Sequence, residues 1–374
     1  MPKILFVTQY HYLRYTGGAE LQCWMLAREF ARRGWDVHYV SENNRPDAPR
    51  ELDSIRLHYL PELPHWRDGN RRQLADVFEK VRPDVVYNRV FNLYTHHAMT
   101  LAPREAVTVW ASAFVHDGSV TATLPELWAT KSLKQFLVLV HRTLTIRARA
   151  RRAALAAKIQ LAQSNEQIEI LRSRDFAPVL LRNSFEFPAD MQVQTHDGKP
   201  LVLWVGGVKQ RKRPELFYEL ARRCQDIDCE FVMAGELQDE QSKQPLAAAQ
   251  RELKNFRYAG FVPADIVGKL YERAHVFVST SQSEGFPNTF IQAWQRGVPV
   301  LSLDIDPDGL LSDEGMGVLA QNMNDMESQL RGMLADPQRR RVMGQRAHDV
   351  ARREFNLEAN VNRLEEMIRA KMRS

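Results

Sequence analysis

Cysteine is scarce in this chain, three among 374 residues. Cys23, Cys224 and Cys229 form no Cys-x-x-Cys pair and no metal-ligand spacing, so they read as buried, reduced thiols rather than a disulfide framework or a zinc site. No apolar run approaches the roughly 20 residues of a membrane-spanning helix. The apolar part of MPKILFVTQY is too short for a secretory signal and reads as a first core strand. Together these absences predict a protein that stays in the cytoplasm. A Gly-x-Gly-x-x-Gly fingerprint is also missing, which leaves a dinucleotide site without support. What remains is an ordinary globular composition, 44% hydrophobic and 26% charged, long enough for two domains. The net charge of +5 is mild. It suits anionic substrates or a membrane surface as well as nucleic acid.

Strand-like and helix-like patterns alternate along the chain. Strands are predicted at Lys3–Thr8, Trp35–Ser41, Ile55–Leu60, from Pro83, at Val107–Phe114, Leu161–Gln163 and Val179–Arg182. Helices are predicted from Gly17-Gly18-Ala19-Glu20 to about Arg33 and over Arg71–Val81. Residues 187–200 have linker composition. A second series follows, with strands at Leu201–Val205, Glu230–Gly235, Phe256–Phe261, His275–Thr280 and Pro299–Leu303, and helices after Asn322 to the end. Such alternation predicts α/β domains, each a doubly wound sheet that binds ligands at strand C-termini.

Three loops carry candidate chemistry. In Ala274–Leu303 a strand runs into the loop Ser281–Pro287, and Asn288 is placed to cap a helix that Gly297 stops. The free amides of a first helical turn attract anions, here near Asn288 and Thr289. Glu284 in the loop and Gln292 on the helix either reach a ligand docked there or form a cap with a solvated polar face. The run Gly206-Gly207-Val208-Lys209-Gln210-Arg211-Lys212-Arg213-Pro214 follows another strand and makes a second candidate anion site. His116, beside Asp117 at a strand end, is either a cleft ligand or an ordinary loop histidine. Asp304-Ile305-Asp306, Asp306-Pro307-Asp308 and Asp226-Ile227-Asp228 read as loop carboxylates, not as a metal site.

SEGFPNTFIQAWQRGVPV resembles the signature of retaining glycosyltransferases of family 4, which is Glu, seven residues, Glu, then a small residue and Gly-x-Pro-Val. Glu284 and Gly297-Val298-Pro299-Val300 match, and Gln292 stands in place of the second Glu. GGAE resembles the family's first βα loop. Lys212 matches the lysine of Gly-Arg, four residues, Lys, with Gly207 where the arginine is usual. Leu181-Arg182-Asn183-Ser184 resembles the element before the linker, with Ser184 in place of Gly.

The resemblance implies the GT-B fold, two facing Rossmann-like doubly wound domains with a cleft between them. The domains would be 1–187 on the acceptor side and 201–356 on the nucleotide-sugar side, joined by a linker at 188–200. A last helix, 357–374, would cross back to the first domain. It also implies transfer of a sugar from a UDP- or GDP-linked donor, with retention, to a glycan or lipid-linked acceptor in cell-surface polysaccharide biosynthesis. Neither cofactor nor metal is expected. Glu284 and His116 would serve catalysis at the donor sugar. Gly17, Gly18, Lys212, Arg211, Asn288 and Thr289 would hold the donor phosphates, with Lys209 or Arg211 supplying the charge missing at Gly207. Gln292 would bind ribose, and Phe261 and Val262 the base.

Residues 127–165 contain no acidic residue. Leu133, Phe136, Leu137, Val140 and Leu144 form one helical stripe opposite Lys131, Arg142 and Arg149, while Arg147 and Arg151 interrupt it. A basic amphipathic helix over 131–158 either rests on an anionic membrane, on the inner face of the cytoplasmic membrane, or packs with a solvated basic face. No nucleic-acid-binding module accompanies the charge, so nucleic acid is not an expected partner. Other readings are a GT-B nucleotide-sugar 2-epimerase, a non-catalytic nucleotide or sugar binder, and a membrane- or nucleic-acid-binding scaffold.

Overall fold

Ile4, Leu5, Phe6, Val7 and Thr8 are all buried, although successive side chains of a strand point to opposite faces. A strand covered on both faces belongs to a parallel sheet with helices on either side. The computed structural model, which describes residues 1–11, 17–45, 47–62, 70–121, 133–188 and 198–373, has that architecture twice. Met1–Glu186 with Leu357–Ser374 form one unit, and Phe187–Asn356 form the other.

Unit 1 runs β1 (Lys3–Tyr10), α1 (Gly18–Arg32), β2 (Asp36–Glu42), β3 (Glu51–Leu52), β4 (Ile55–Leu60), α2 (Arg71–Val81), β5 (Val85–Asn88) and α3 (Leu93–Leu101). It continues with β6 (Val107–Ala111), α4 (Leu133–Leu155), β7 (Ile159–Ala162), α5 (Asn165–Arg172) and β8 (Val179–Leu180). The sheet order is β3-β4-β2-β1-β5-β6-β7-β8, with every pair parallel except β3 with β4. Strand order reverses between β1 and β5, which is the topological switch point where open α/β sheets bind ligands.

One strand bound needs correction here. The strand from Val107 ends at Ala111 rather than Phe114. The buried Asp117 carboxylate accepts the amides of Ala113 at 2.7 Å and Phe114 at 3.0 Å, and the Ser112 hydroxyl at 3.0 Å. These bonds peel the chain off the sheet into a loop. Several charges of the basic stretch are used within unit 1. Arg147 donates to the carbonyls of Ser119 (2.7 Å) and His116 and lies over the Phe91 ring, 4.9 Å from its centroid. Arg151 binds the Arg174 carbonyl and the Asp175 carboxylate, each at 2.8 Å. Lys158 reaches the carbonyls of Arg104 and Glu105. Arg149 and Arg152 stay exposed, as do Leu137 and Val138. Lys131 lies outside the described residues.

Unit 2 runs β9 (Leu201–Val205), a 3-10 turn (Gln210–Lys212), α6 (Pro214–Arg223), β10 (Glu230–Ala234), α7 (Lys243–Glu252), β11 (Phe256–Tyr258) and α8 (Ala264–Arg273). After it come β12 (Val276–Ser279), α9 (Asn288–Gln295), β13 (Val300–Ser302), β14 (Gly317–Leu319), α10 (Met323–Ala335) and α11 (Pro337–Glu354). The order β11-β10-β9-β12-β13-β14 is all parallel and reverses between β9 and β12. Trp204, Phe217, Phe231 and Met233 fill its core. Helix α9 starts one residue earlier than a cap at Asn288 requires. Pro287, with φ −73° and ψ 106°, is the cap, and Asn288 is the first helical residue. Gly297 follows the helix end with φ +68°.

The last helix, α12 (Leu357–Met372), belongs to unit 1. Val361, Leu364 and Ile368 enter the same core as Phe6, Ala27 and Phe30. Arg33 pairs with Glu365 at 3.1 Å, the Trp35 indole donates to Glu365 at 3.2 Å, and the Leu357 amide binds the Phe185 carbonyl at 2.9 Å. Residues 189–197 of the expected linker lie outside the described residues.

Candidate active site

The loops that follow β9 and β12 flank the unit 2 switch point, and they are stitched together. The Thr280 hydroxyl donates to the Lys212 carbonyl at 2.7 Å and accepts the Trp204 indole N–H at 3.1 Å. The Gln282 amide binds the Arg211 carbonyl at 3.1 Å. Arg211 reaches the Ser283 carbonyl at 3.3 Å. Arg213, in the left-handed region at φ +47°, donates to the Thr280 carbonyl at 2.7 Å and pairs with Asp304.

This stitching sets Lys212 against Glu284, 72 residues away in sequence, as an ion pair through Lys212 Nζ and Glu284 Oε1. The side chains are 16% and 13% exposed, so the pair is largely desolvated yet reachable. Removing either partner would leave an uncompensated charge in a poorly hydrated place. Burial, with the Arg211 and Lys212 charges, holds the half-buried Lys209 ammonium below its ordinary range, which places Lys209 in the same cationic cluster.

Glycine makes this packing possible. Gly235, at φ +147°, passes so close to Gly206 that an added Cβ would fall 1.8 Å from the Gly206 carbonyl oxygen. The β9 and β10 loops stay in register beyond it, through Val208 N–H to the Glu236 carbonyl at 2.8 Å and Gln238 N–H to the Val208 carbonyl at 2.9 Å. No side chain at 207 supplies charge.

Of the other expected residues in unit 2, Asn288 and Thr289 form the half-buried first turn of α9, immediately after the Glu284 loop. Gln292 lies one turn further on, half-buried, and its amide makes no hydrogen bond among the described residues. Phe261 is 62% exposed on the loop after β11, with Val262 half-buried beside it. Among the described residues, no hydrogen bond ties Gln292, Phe261 or Val262 to the Lys212–Glu284 pair. The Asp-x-Asp carboxylates have partners of their own. Asp306 accepts the Leu311 amide at 2.7 Å and the Ser312 hydroxyl at 2.6 Å, while Asp226 pairs with Arg331 and Asp228 with Lys199. Among the described residues no His, Cys, Asp and Glu cluster fits a metal ion.

In unit 1, Gly17 is the extended cap of α1 (φ −78°, ψ 157°) and Gly18 its exposed first residue. Glu20 in that first turn is buried, which raises its carboxyl, against the pull of Arg89. Arg89, buried just past β5, donates to Asn183 Oδ1 at 2.5 Å. His116 is half-buried on a loop that Arg147 and Arg174 hold by its carbonyls. Thr280, Trp204, Arg213 and Arg89 were not legible as site residues. Thr280, a polar residue closing a buried strand, offered the best signal.

Two family models match this chain, "Glycosyltransferase Family 4" over residues 16–178 and "Glycosyl transferases group 1" over 186–350. A 2-deoxystreptamine N-acetyl-D-glucosaminyltransferase from Niallia circulans is 26% identical over 125 residues, covering 33% of this chain and 32% of that protein. The match thus spans about a third of this curated relative. Among solved structures, Anabaena HepE in complex with UDP-glucose superposes with a TM-score of 0.76 at 16% identity, covering 99% of this chain and 100% of that one. Sucrose-phosphate synthase from Thermosynechococcus elongatus does so at 0.75 and 16%, covering 99% of each chain. Paired parallel sheets with charged loops at a switch point, in this structural company, define the GT-B class of glycosyltransferases. The chain belongs to the group 1, family 4 glycosyltransferases.

Proposed function

We propose that this protein is a retaining hexosyltransferase that moves a sugar from a UDP- or GDP-linked donor to a glycan or lipid-linked acceptor, in cell-surface polysaccharide biosynthesis and without a metal. The observation that carries this reading is the Lys212–Glu284 ion pair at the unit 2 switch point. Breaking a glycosyl–phosphate bond leaves negative charge on the departing diphosphate and positive charge on the sugar ring. One loop offers a cation for the first, and its neighbour a carboxylate for the second. The amides at the start of α9, near Asn288 and Thr289, add to the cation's effect, as do Arg211 and the amides at Gly17 and Gly18. Preorganised groups of this kind each lower such a barrier by about 3 kcal/mol. In this reading Glu284 and His116 face the donor sugar, Gln292 takes a ribose hydroxyl, and Phe261 and Val262 bracket the base. HepE, solved with UDP-glucose, supports a UDP-linked donor.

The test is calorimetric titration of UDP, GDP and their sugar derivatives, with and without chelator. One nucleotide family should bind, unaffected by chelator, and Glu284→Ala should abolish sugar transfer. Binding of neither would overturn the reading, and a loss of activity with chelator would overturn its metal-free part.

Helix α4 motivates a membrane-facing role. Leu137 and Val138 are 57% and 51% exposed, and Arg149 and Arg152 are exposed further along the same helix. No helix among the described residues is long and apolar enough to cross a membrane. Adsorption from the cytoplasmic side is therefore proposed, and it should appear as cosedimentation with anionic vesicles that Leu137→Asp/Val138→Asp abolishes.

A further inference from the structure

Gly206 and Gly207 form a turn with two bare faces. On the Gly206 face, an added Cβ would meet Trp204 Cη2 at 3.5 Å and Lys212 Cε at 3.8 Å. On the Gly207 face it would strike the Gln238 carboxamide, 2.3 Å from Oε1 and 2.8 Å from Nε2. Gln238 therefore occupies the space that a side chain at 207 would fill. Backbone register delivers it there, because the Gln238 amide binds the Val208 carbonyl and the Asp239 carboxylate accepts the Gln210 amide at 2.7 Å. Gln238 is nevertheless an exposed residue, and its carboxamide makes no hydrogen bond among the described residues. The backbone register thus delivers a carboxamide whose polar atoms are open to a ligand beside the glycine turn.

We infer that Gln238 is a donor-binding residue, whose carboxamide N–H groups hold a phosphate oxygen of the nucleoside diphosphate across the glycine turn from Lys212. This rests on the nucleotide-sugar reading above and deepens it. An amide replaces a charged side chain at 207, so the cationic part of the grip falls to Lys212 and its neighbours Lys209 and Arg211. A Cβ at Gly207 would displace the carboxamide from this position, while its backbone conformation itself would accept alanine.

A mutant cycle tests this by titrating UDP and GDP into the full chain and its variants. Gln238→Ala should weaken the nucleotide that wild type binds by about 10-fold, the size of one hydrogen bond to a charged group. Gly207→Ala should cost a similar factor, and the double variant no more than either alone, because both remove the same contact. Unchanged melting temperatures would separate this from damage to the loop. Wild-type affinity in Gln238→Ala overturns the inference while leaving the nucleotide reading intact, and so do losses that multiply in the double variant. Wild type that binds neither nucleotide overturns both.

Discussion

The two units share a strand order but use their switch points differently. Unit 2 places an opposed, partly exposed ion pair there, Lys212 with Glu284, on loops laced by Thr280 and Arg213. Unit 1 places neutral-acceptor side-chain hydrogen bonds there instead, one of them buried. Arg89 is tied to Asn183, and the Asn92 amide to Gln9 at 2.9 Å. Topology thus chooses where a site can lie, and loop residues decide whether it offers charge to a ligand or locks the backbone. In the reading above, unit 2 supplies the charged side chains for the donor, and unit 1 supplies His116 and the backbone amides of Gly17 and Gly18.

The largest effect that would break this contrast is catalytic. Glu284→Ala and Lys212→Ala should each lower turnover by about 100-fold or more, with the nucleotide sugar that wild type uses as substrate. Equal losses from Arg89→Ala, with the fold intact by circular dichroism, would show that the contrast between the units is misplaced. Next comes the lacing. Thr280→Val removes a hydroxyl that both donates and accepts in a fully buried place, and should cost about 1–3 kcal/mol in urea unfolding. A smaller change sharpens the donor side. Gln292→Glu exchanges a neutral acceptor for a charged one and should tighten nucleotide binding about fivefold, roughly 1 kcal/mol. Unchanged affinity would remove Gln292 from the ribose site.

The mildest test concerns acid. Burial pushes His11 and His58 in unit 1 from the ordinary value of 6.5 down to about 4, His58 helped by the neighbouring His38, Lys80, Arg50 and Arg56. The unfolded chain therefore takes up protons first as pH falls. Stability is full above about pH 6.5 and declines towards pH 4. Calorimetry across that window should show a shallow loss that His58→Gln reduces.

Much of this frame was legible beforehand. Arg71–Val81 matches its predicted bounds, because apolar residues recur at helical spacing and the breaks are local, and the last helix implied by the resemblance begins at Leu357 as expected and ends at Met372. Glycine, proline and a buried β-branched run likewise announced the loops after β9 and β12. Partners distant in sequence were not legible. Arg147 and Arg151 read only as breaks in the apolar stripe, because their acceptors lie 23 to 31 residues away on loops that only the folded sheet brings near. The end of β6 was missed for the same reason, since Asp117 reaches back to the amides. Gly207 read as a loss of charge, and only the structure shows Gln238 in its place.

The C-terminal helix has a consequence for synthesis. Unit 2 is encoded wholly between the two parts of unit 1, so it is made before α12. Until Val361, Leu364 and Ile368 leave the ribosome, the nascent first unit presents an unfilled apolar slot beside Phe6, Ala27 and Phe30. Unit 1 is therefore closed only after unit 2 has been made.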